Sequence, residues 1–336
     1  MEQLIVGPSW LGDAVMMGAL IRRLKTADPT GRITVMTPAH IEEVVRRLPG
    51  VDEALINPFA HGALKLGQRR QFGRALRGRF DRAFVLPHSW KSALVPFFAG
   101  IPRRTGFVGE ARWMLLNDAR TLDEAALPRM VDRSALLADP PGTTTPRETP
   151  TPKLSVGDAD VAATRARFGL AADRPAVALC VGAEYGPAKR WPAAHHAALA
   201  RRLMGEGRAV WLIGGPGDAA IAGEVAAAAP GAVDLAGRTK LGEAIDLVAA
   251  AAAVVTNDSG LMHVAAALGR PLIALYGSSS PAFTPPLSDR AVILSEGLDC
   301  SPCFERVCPL GHFRCLNDLA PDRVWAALQP MMAQAA

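Results

Sequence analysis

Asp13, Lys189, Asp258 and His263 are the residues whose types and settings suit group-transfer chemistry. Residues 254–286 read VVTNDSGLMHVAAALGRPLIALYGSSSPAFTPP, which parses as a buried strand, a polar turn, an apolar helix, a second strand and a Gly/Ser-rich loop. The turn Asn257-Asp258-Ser259-Gly260 falls at a helix N-terminus, where unsatisfied backbone N–H groups and the helix dipole favour an anion. Asp258 offers a carboxylate to ribose or sugar hydroxyls, and His263 lies on the first turns of the same helix. The strand Pro271–Tyr276 ends in Gly277-Ser278-Ser279-Ser280, a second loop able to meet a phosphate. Two such loops at the carboxyl ends of neighbouring strands describe a nucleotide-sugar pocket. Lys189 stands in Gly186-Pro187-Ala188-Lys189-Arg190-Trp191, after a strand and before a helix, where a cation can meet a diphosphate. Asp13 follows the loop Gly7–Gly12 after the first strand. Its position suits equally a general base and a simple helix N-cap.

These loops are not a dehydrogenase fingerprint: GPSWLGD lacks the G-x-G-x-x-G spacing, and no Walker motif appears. The elements that must position them alternate. Strands are expected at Leu4–Val6, Ile33–Thr37, Glu53–Ile56 and Arg82–Leu86, with helices at Asp13–Ala27 and Ile41–Leu48. The rhythm restarts with strands at Ala176–Val181, Ala209–Gly214, Val254–Thr256 and Leu272–Tyr276, and helices at His195–Glu206, Ala219–Ala229 and Gly242–Ala252. Alternation of this kind predicts parallel βαβ units and an α/β fold of two doubly wound, Rossmann-like domains. The Pro/Thr-rich stretch 138–152, ADPPGTTTPRETPTP, cannot be regular structure and is the natural connector. The expected partition is 1–160, 161–318 and a terminal helix in 319–336 that crosses back onto the first domain.

A chain of 336 residues exceeds one ordinary core, and 49% apolar with 21% charged residues is the composition of a globule. There is no apolar run of 18 residues, and the start MEQLIVGPSW shows neither a basic n-region nor a cleavage site, so a cytoplasmic location is expected. Residues 1–150 hold 21 Lys+Arg against 15 Asp+Glu, whereas the remainder holds 16 against 17. A basic N-terminal half suits an anionic acceptor or an anionic membrane surface, or simply reflects solvated helix faces. No nucleic-acid recognition motif is present, so nucleic acid is not expected as a partner.

Four of the five cysteines, Cys300, Cys303, Cys308 and Cys315, form a C-x2-C-x4-C-x6-C cluster with His312 inside it. A structural zinc site or iron–sulfur cluster, free thiols, and disulfide or redox use all stay open for them. Cys180 sits in a strand and reads as a small buried hydrophobe.

The donor-type segment resembles that of the ADP-heptose glycosyltransferases that build the lipopolysaccharide inner core of Gram-negative bacteria. GPSWLGDAVMM (7–17), HGALKLGQRR (61–70), LPHSWKSALVPFFAGIPRRTGFVGEAR (86–112), LLND (115–118) and GAEYGPAKRWP (182–192) are similar to that family's motifs over most of the chain. The resemblance implies a GT-B architecture, with ligands in a cleft between the domains, and an inverting glycosyl transfer with no covalent intermediate and no obligatory catalytic metal. It implies Asp13 as catalytic base and Lys189 as the contact to the donor phosphates. Glu184, Asp258, Ser259, Gly260 and His263 are implied for the rest of the ADP-heptose donor, and the 214–218 loop for its adenosine. Lys65, Arg69, Arg70, Lys91 and Arg104 are expected to meet a phosphorylated, Kdo-bearing lipid A acceptor, with Arg103 and Arg112 in the same motifs. The N-terminal motifs are most similar to members that add a second heptose to the first; Kdo or a later core heptose is the rival acceptor. Peripheral contact with the cytoplasmic face of the inner membrane is expected through basic residues and exposed apolar ones such as Trp90, Phe97 or Phe98. A non-catalytic sugar-nucleotide binding protein is the reading from another class, against which the intact Asp13, Lys189, Asp258 and His263 stand.

Overall fold

The computed structural model describes residues 1–60, 62–146 and 148–333. His61 of the HGALKLGQRR motif and the last three residues of the expected terminal segment lie outside them. The chain divides into two compact units, Met1–Leu154 and Ser155–Ala336.

In the first unit the strands are β1 (Glu2–Val6), β2 (Arg32–Thr37), β3 (Glu53–Ile56), β4 (Arg82–Val85), β5 (Arg103–Phe107) and β6 (Asp118–Arg120). They pair in the order β3-β2-β1-β4-β5-β6, with every pairing parallel. The second unit holds β7 (Ala176–Cys180), β8 (Ala209–Ile213), β9 (Val233–Asp234), β10 (Ala253–Asn257), β11 (Leu272–Leu275) and β12 (Ala291–Leu294). Their order is β12-β11-β10-β7-β8-β9, again all parallel. Counted within each unit, both sheets run 3-2-1-4-5-6, the doubly wound dinucleotide-fold order, and that fold puts ligands where the order reverses. The reversal lies between β1 and β4 in the first unit and between β7 and β10 in the second.

The central strands read as continuous apolar runs because helices cover both faces. Every residue of AVALC in β7, AVVTN in β10 and LIAL in β11 is buried. The expected helix Asp13–Ala27 is instead two, Leu11–Met16 and Gly18–Ala27. Gly18 permits a close approach there: a Cβ would stand 3.0 Å from Leu48 Cδ2 and 3.3 Å from Pro152 Cβ. The described part of 138–152 forms no helix or strand.

The terminal helix Pro321–Ala333 buries Val324, Trp325, Leu328 and Met332 in the core of the second unit, beside Trp191 and Leu319. The sequence expectation had this apolar face crossing to the first domain; it belongs to the second unit's own core. Of the elements the sequence did not announce, β5, β6 and the helices Leu66–Ala75 and Asp158–Arg167 are the main ones. They are Arg-rich or short, so hydrophobic periodicity is weak in them.

Candidate functional site

At the reversal point of the second unit, β7 and β10 deliver two loops side by side. Strand β10 ends in Asn257, a fully buried amide that ties the loops together. Its Oδ1 accepts the Trp191 N–H at 3.0 Å, and its Nδ2 donates to the carbonyls of Val181 (3.0 Å) and Gly182 (3.2 Å). Trp191 is anchored below by its indole N–H to the Leu319 carbonyl at 2.8 Å. The short turn between them, Pro187–Lys189, is thereby fixed at both ends.

Lys189 Nζ donates to Asp258 Oδ2 at 2.6 Å, and Asp258 is only 5% exposed. The same ammonium lies 4.9 Å from the Tyr185 ring centroid. His263, also 5% exposed, follows on the helix Gly260–Ala267. Burial pushes its pKa down to about 4; Lys189 pushes the same way and Asp258 opposes. His263 is therefore neutral near pH 7, with one ring nitrogen to donate and one to accept. Ser259 occupies the N-cap with extended backbone and no side-chain cap, and its half-buried hydroxyl lies 3.4 Å from the Thr256 hydroxyl. Lys189, Asp258, Ser259, Gly260 and His263 thus share the reversal point, while Glu184 is exposed on the loop after β7. Asp218 closes over Gly182, where a Cβ would stand 2.0 Å from its carboxylate, and pairs with Arg190 at 3.6 Å.

In the first unit Asp13 is half-buried in the first turn of Leu11–Met16, directly after β1 and hence at that unit's reversal point. The loop after β4 lies at the same end. It is shaped by Arg112, a fully buried guanidinium whose Nη1 donates to the carbonyls of Pro87 (2.5 Å) and Ser89 (3.3 Å) and whose Nε donates to that of Phe107 (3.0 Å). Burial lowers its pKa to about 10.

The basic residues expected to meet an acceptor divide into two groups. Arg69 is buried, stacks 4.3 Å over Phe59, and gives its fork to the carbonyls of Leu64, Ala63 and Lys91. Arg104 donates to the carbonyls of Leu115 and Ile101, and Arg103 pairs with Asp118 at 2.9 Å. These arginines have structural tasks, because unpaired carbonyls at loop ends need donors. Lys65 and Arg70 are exposed, and Lys91 reaches the Gly62 carbonyl at 3.1 Å.

Cys300, Cys303, Cys308 and Cys315 line one small pocket, with Ser278, Ser301 and His312. All are free thiols. Among the described residues no group of three His, Cys, Asp or Glu side chains is arranged to hold a metal ion, so the structural zinc that the spacing left open finds no support. Cys308 Sγ accepts the Phe313 N–H at 3.4 Å, and that bond leads the backbone donors holding its pKa below the usual thiol value. Burial pushes Cys315 upward, and Cys180 up to about 12. Ser278 and Ser279 are buried, and their hydroxyls have no hydrogen-bond partner among the described residues.

The family model of glycosyltransferase family 9 (heptosyltransferase) matches residues 69–314, well over half of the chain. The lipopolysaccharide heptosyltransferase 2 of Escherichia coli K12 is 46% identical over 345 aligned residues, covering 99% of both chains. The lipooligosaccharide heptosyltransferase 2 of Haemophilus influenzae is likewise 46% identical, over 99% of this chain and all of the relative. Among solved structures, the ADP-heptose lipopolysaccharide heptosyltransferase II of E. coli superposes with a TM-score of 0.90 at 44% identity, covering 99% of each chain.

Proposed function

The chain belongs to glycosyltransferase family 9, the heptosyltransferases, and we propose that it moves L-glycero-D-manno-heptose from ADP-heptose to the first heptose of the lipopolysaccharide inner core. It is a glycosyltransferase of lipopolysaccharide core biosynthesis. The observation that carries the donor assignment is the Lys189–Asp258 pair at the reversal point of the second unit, beside the open start of Gly260–Ala267. Lys189 and the helix N–H groups meet the diphosphate; Asp258 accepts from sugar hydroxyls, and neutral His263 meets a heptose hydroxyl or donates to a phosphate oxygen.

Asp13 is the base. Its carboxylate takes the proton of the acceptor hydroxyl as that oxygen attacks the anomeric carbon. The new C–O bond forms while the bond to the β-phosphate breaks, and ADP leaves with the electron pair. One displacement inverts the anomeric centre, and no covalent glycosyl-enzyme is made. No step requires a cofactor.

Among the described residues no helix is long and apolar enough to cross a membrane. We place the protein in the cytoplasm, in peripheral contact with the inner membrane that carries its lipid-linked acceptor. Trp113 and Met114 of the first unit are 64% and 89% exposed, and exposed Trp90 and Phe97 come from the β4–β5 connection. Apolar side chains of this kind among basic ones suit an anionic bilayer surface. Lys65, Arg70 and Lys91 are the side chains proposed for acceptor phosphate or Kdo carboxylate.

The acceptor assignment is tested by offering ADP-heptose with two lipid A–Kdo acceptors, one bearing a single heptose and one bearing none, and weighing the products. Gain of one heptose only on the heptosylated acceptor is expected. Gain only on the bare acceptor would refute the assignment while leaving the transferase.

A further inference from the structure

A departing nucleoside diphosphate is a polyanion and calls for net positive charge beside it. Lys189 is held by Asp258 at 2.6 Å, so that pair supplies N–H donors but no net charge. Arg190 is paired with Asp218, and His263 is neutral. One further cation stands nearby. Arg306, in the loop between Cys303 and Cys308, holds its guanidinium carbon 5.0 Å from the centroid of the same Tyr185 ring that lies 4.9 Å from Lys189 Nζ. Arg306 is exposed, and among the described residues no carboxylate pairs with it.

The backbone around Arg306 is fastened to the lysine turn. Its carbonyl accepts the Ala188 N–H at 3.1 Å, and the Tyr185 hydroxyl donates to the Phe304 carbonyl at 2.6 Å. Gly186 allows this approach, since a Cβ there would lie 2.4 Å from the Arg306 oxygen. On its other side the loop hangs from the end of β11, where the Phe304 N–H donates to the Ser278 carbonyl and the Ser301 hydroxyl to the Gly277 carbonyl. A segment tied this closely to two ligand-facing loops is a mount for its one unpaired cation.

We propose that Arg306 is a second ligand of the donor diphosphate, taking the β-phosphate with Lys189 and supplying the net charge that the Lys189–Asp258 pair lacks. The cysteine-bearing loop holds it in position. The inference rests on the ADP-heptose assignment above.

ADP and AMP affinities, measured by calorimetry at fixed ionic strength for the wild type, Arg306→Gln and Arg306→Lys, test it. Arg306→Gln should weaken ADP about ten- to a hundredfold, the range of a charge-assisted hydrogen bond. AMP, which lacks the β-phosphate, should bind as before, and Arg306→Lys should recover part of the loss. Unchanged ADP affinity in Arg306→Gln would overturn the proposal. Equal weakening of ADP and AMP would overturn it too, because it would mean that Arg306 shapes the loop rather than meets the β-phosphate. A wild type that binds neither nucleotide would overturn the ADP assignment, and this inference with it.

Discussion

Replacing Asn257 with alanine removes a side chain that joins the ends of β7 and β10 to the segment bearing Lys189. Trp191 is fully buried, so its N–H would lose its acceptor in a place water does not reach. A buried orphan donor costs about 1–3 kcal/mol. The carbonyls of Val181 and Gly182 would each lose a donor as well, a smaller penalty because a carbonyl has a second lone pair. The sum is about 3 kcal/mol, a large share of the 5–15 kcal/mol typical of a folded domain. For a unit of this size it corresponds to a fall in Tm of about 6–12 °C. Urea unfolding followed by tryptophan fluorescence reads it, since Trp191 and Trp211 lie in the core of this unit. Lys189 is two residues from the lost bond, so ADP affinity should fall in the fraction that remains folded. Asn257→Asp keeps an acceptor for Trp191 but sets a carboxylate against two carbonyls, and it should not rescue. An Asn257→Ala protein within 0.5 kcal/mol of wild type would refute the claim that this amide clamps the site.

Three further outcomes are expected. Lys189→Met should weaken ADP at least tenfold and, by stranding the buried Asp258 charge, destabilise the second unit; adding Asp258→Asn should restore stability but not ADP affinity, as calorimetry and thermal melts would tell. His196 is fully buried against Trp191 with neither ring nitrogen paired among the described residues, and burial lowers its pKa to about 3, as it lowers His263 to about 4. The unfolded chain binds these protons near pH 6.5 and the native chain does not, so stability should be full above pH 6.5 and fall as pH drops towards 4; His196→Leu should flatten that slope in acid titrations. A thiol reagent should label the four cysteines of the 300–315 loop in the native protein, Cys308 fastest and Cys315 slowest, and Cys180 only after denaturation, as peptide mass mapping would establish.

Much of this was legible in the residues. The apolar runs of β1, β7, β10 and β11 end at turns rich in Gly, Pro or Asp and are buried almost throughout, so the strands were found to within one or two residues. Lys189, Asp258 and His263 announced themselves because each follows such a strand at a turn, and the structure brings them to one reversal point. What stayed hidden depends on pairing at long sequence range. Nothing local distinguishes Arg69 or Arg112, folded onto carbonyls, from Arg70, left in solvent. Asn257 was visible only as a turn residue, because its three partners lie 66 to 76 positions away. Arg306 sat inside a cysteine pattern whose spacing drew attention to metal, and its contact with Tyr185 spans two loops that the sequence keeps far apart. The close approach of Leu48 and Pro152 to Gly18, which opens the second piece of the first long helix, is likewise a long-range contact that no local pattern announces.

The central claim is that Asp13 deprotonates an acceptor hydroxyl for heptose transfer from ADP-heptose. A single-turnover experiment tests it most directly, with enzyme saturated in ADP-heptose, mixed with the once-heptosylated lipid A–Kdo acceptor and quenched over time, for wild type and Asp13→Asn. Loss of a positioned general base should slow product formation about 10²- to 10⁴-fold, with ADP affinity unchanged. An Asp13→Asn enzyme that transfers heptose at the wild-type rate would contradict the account.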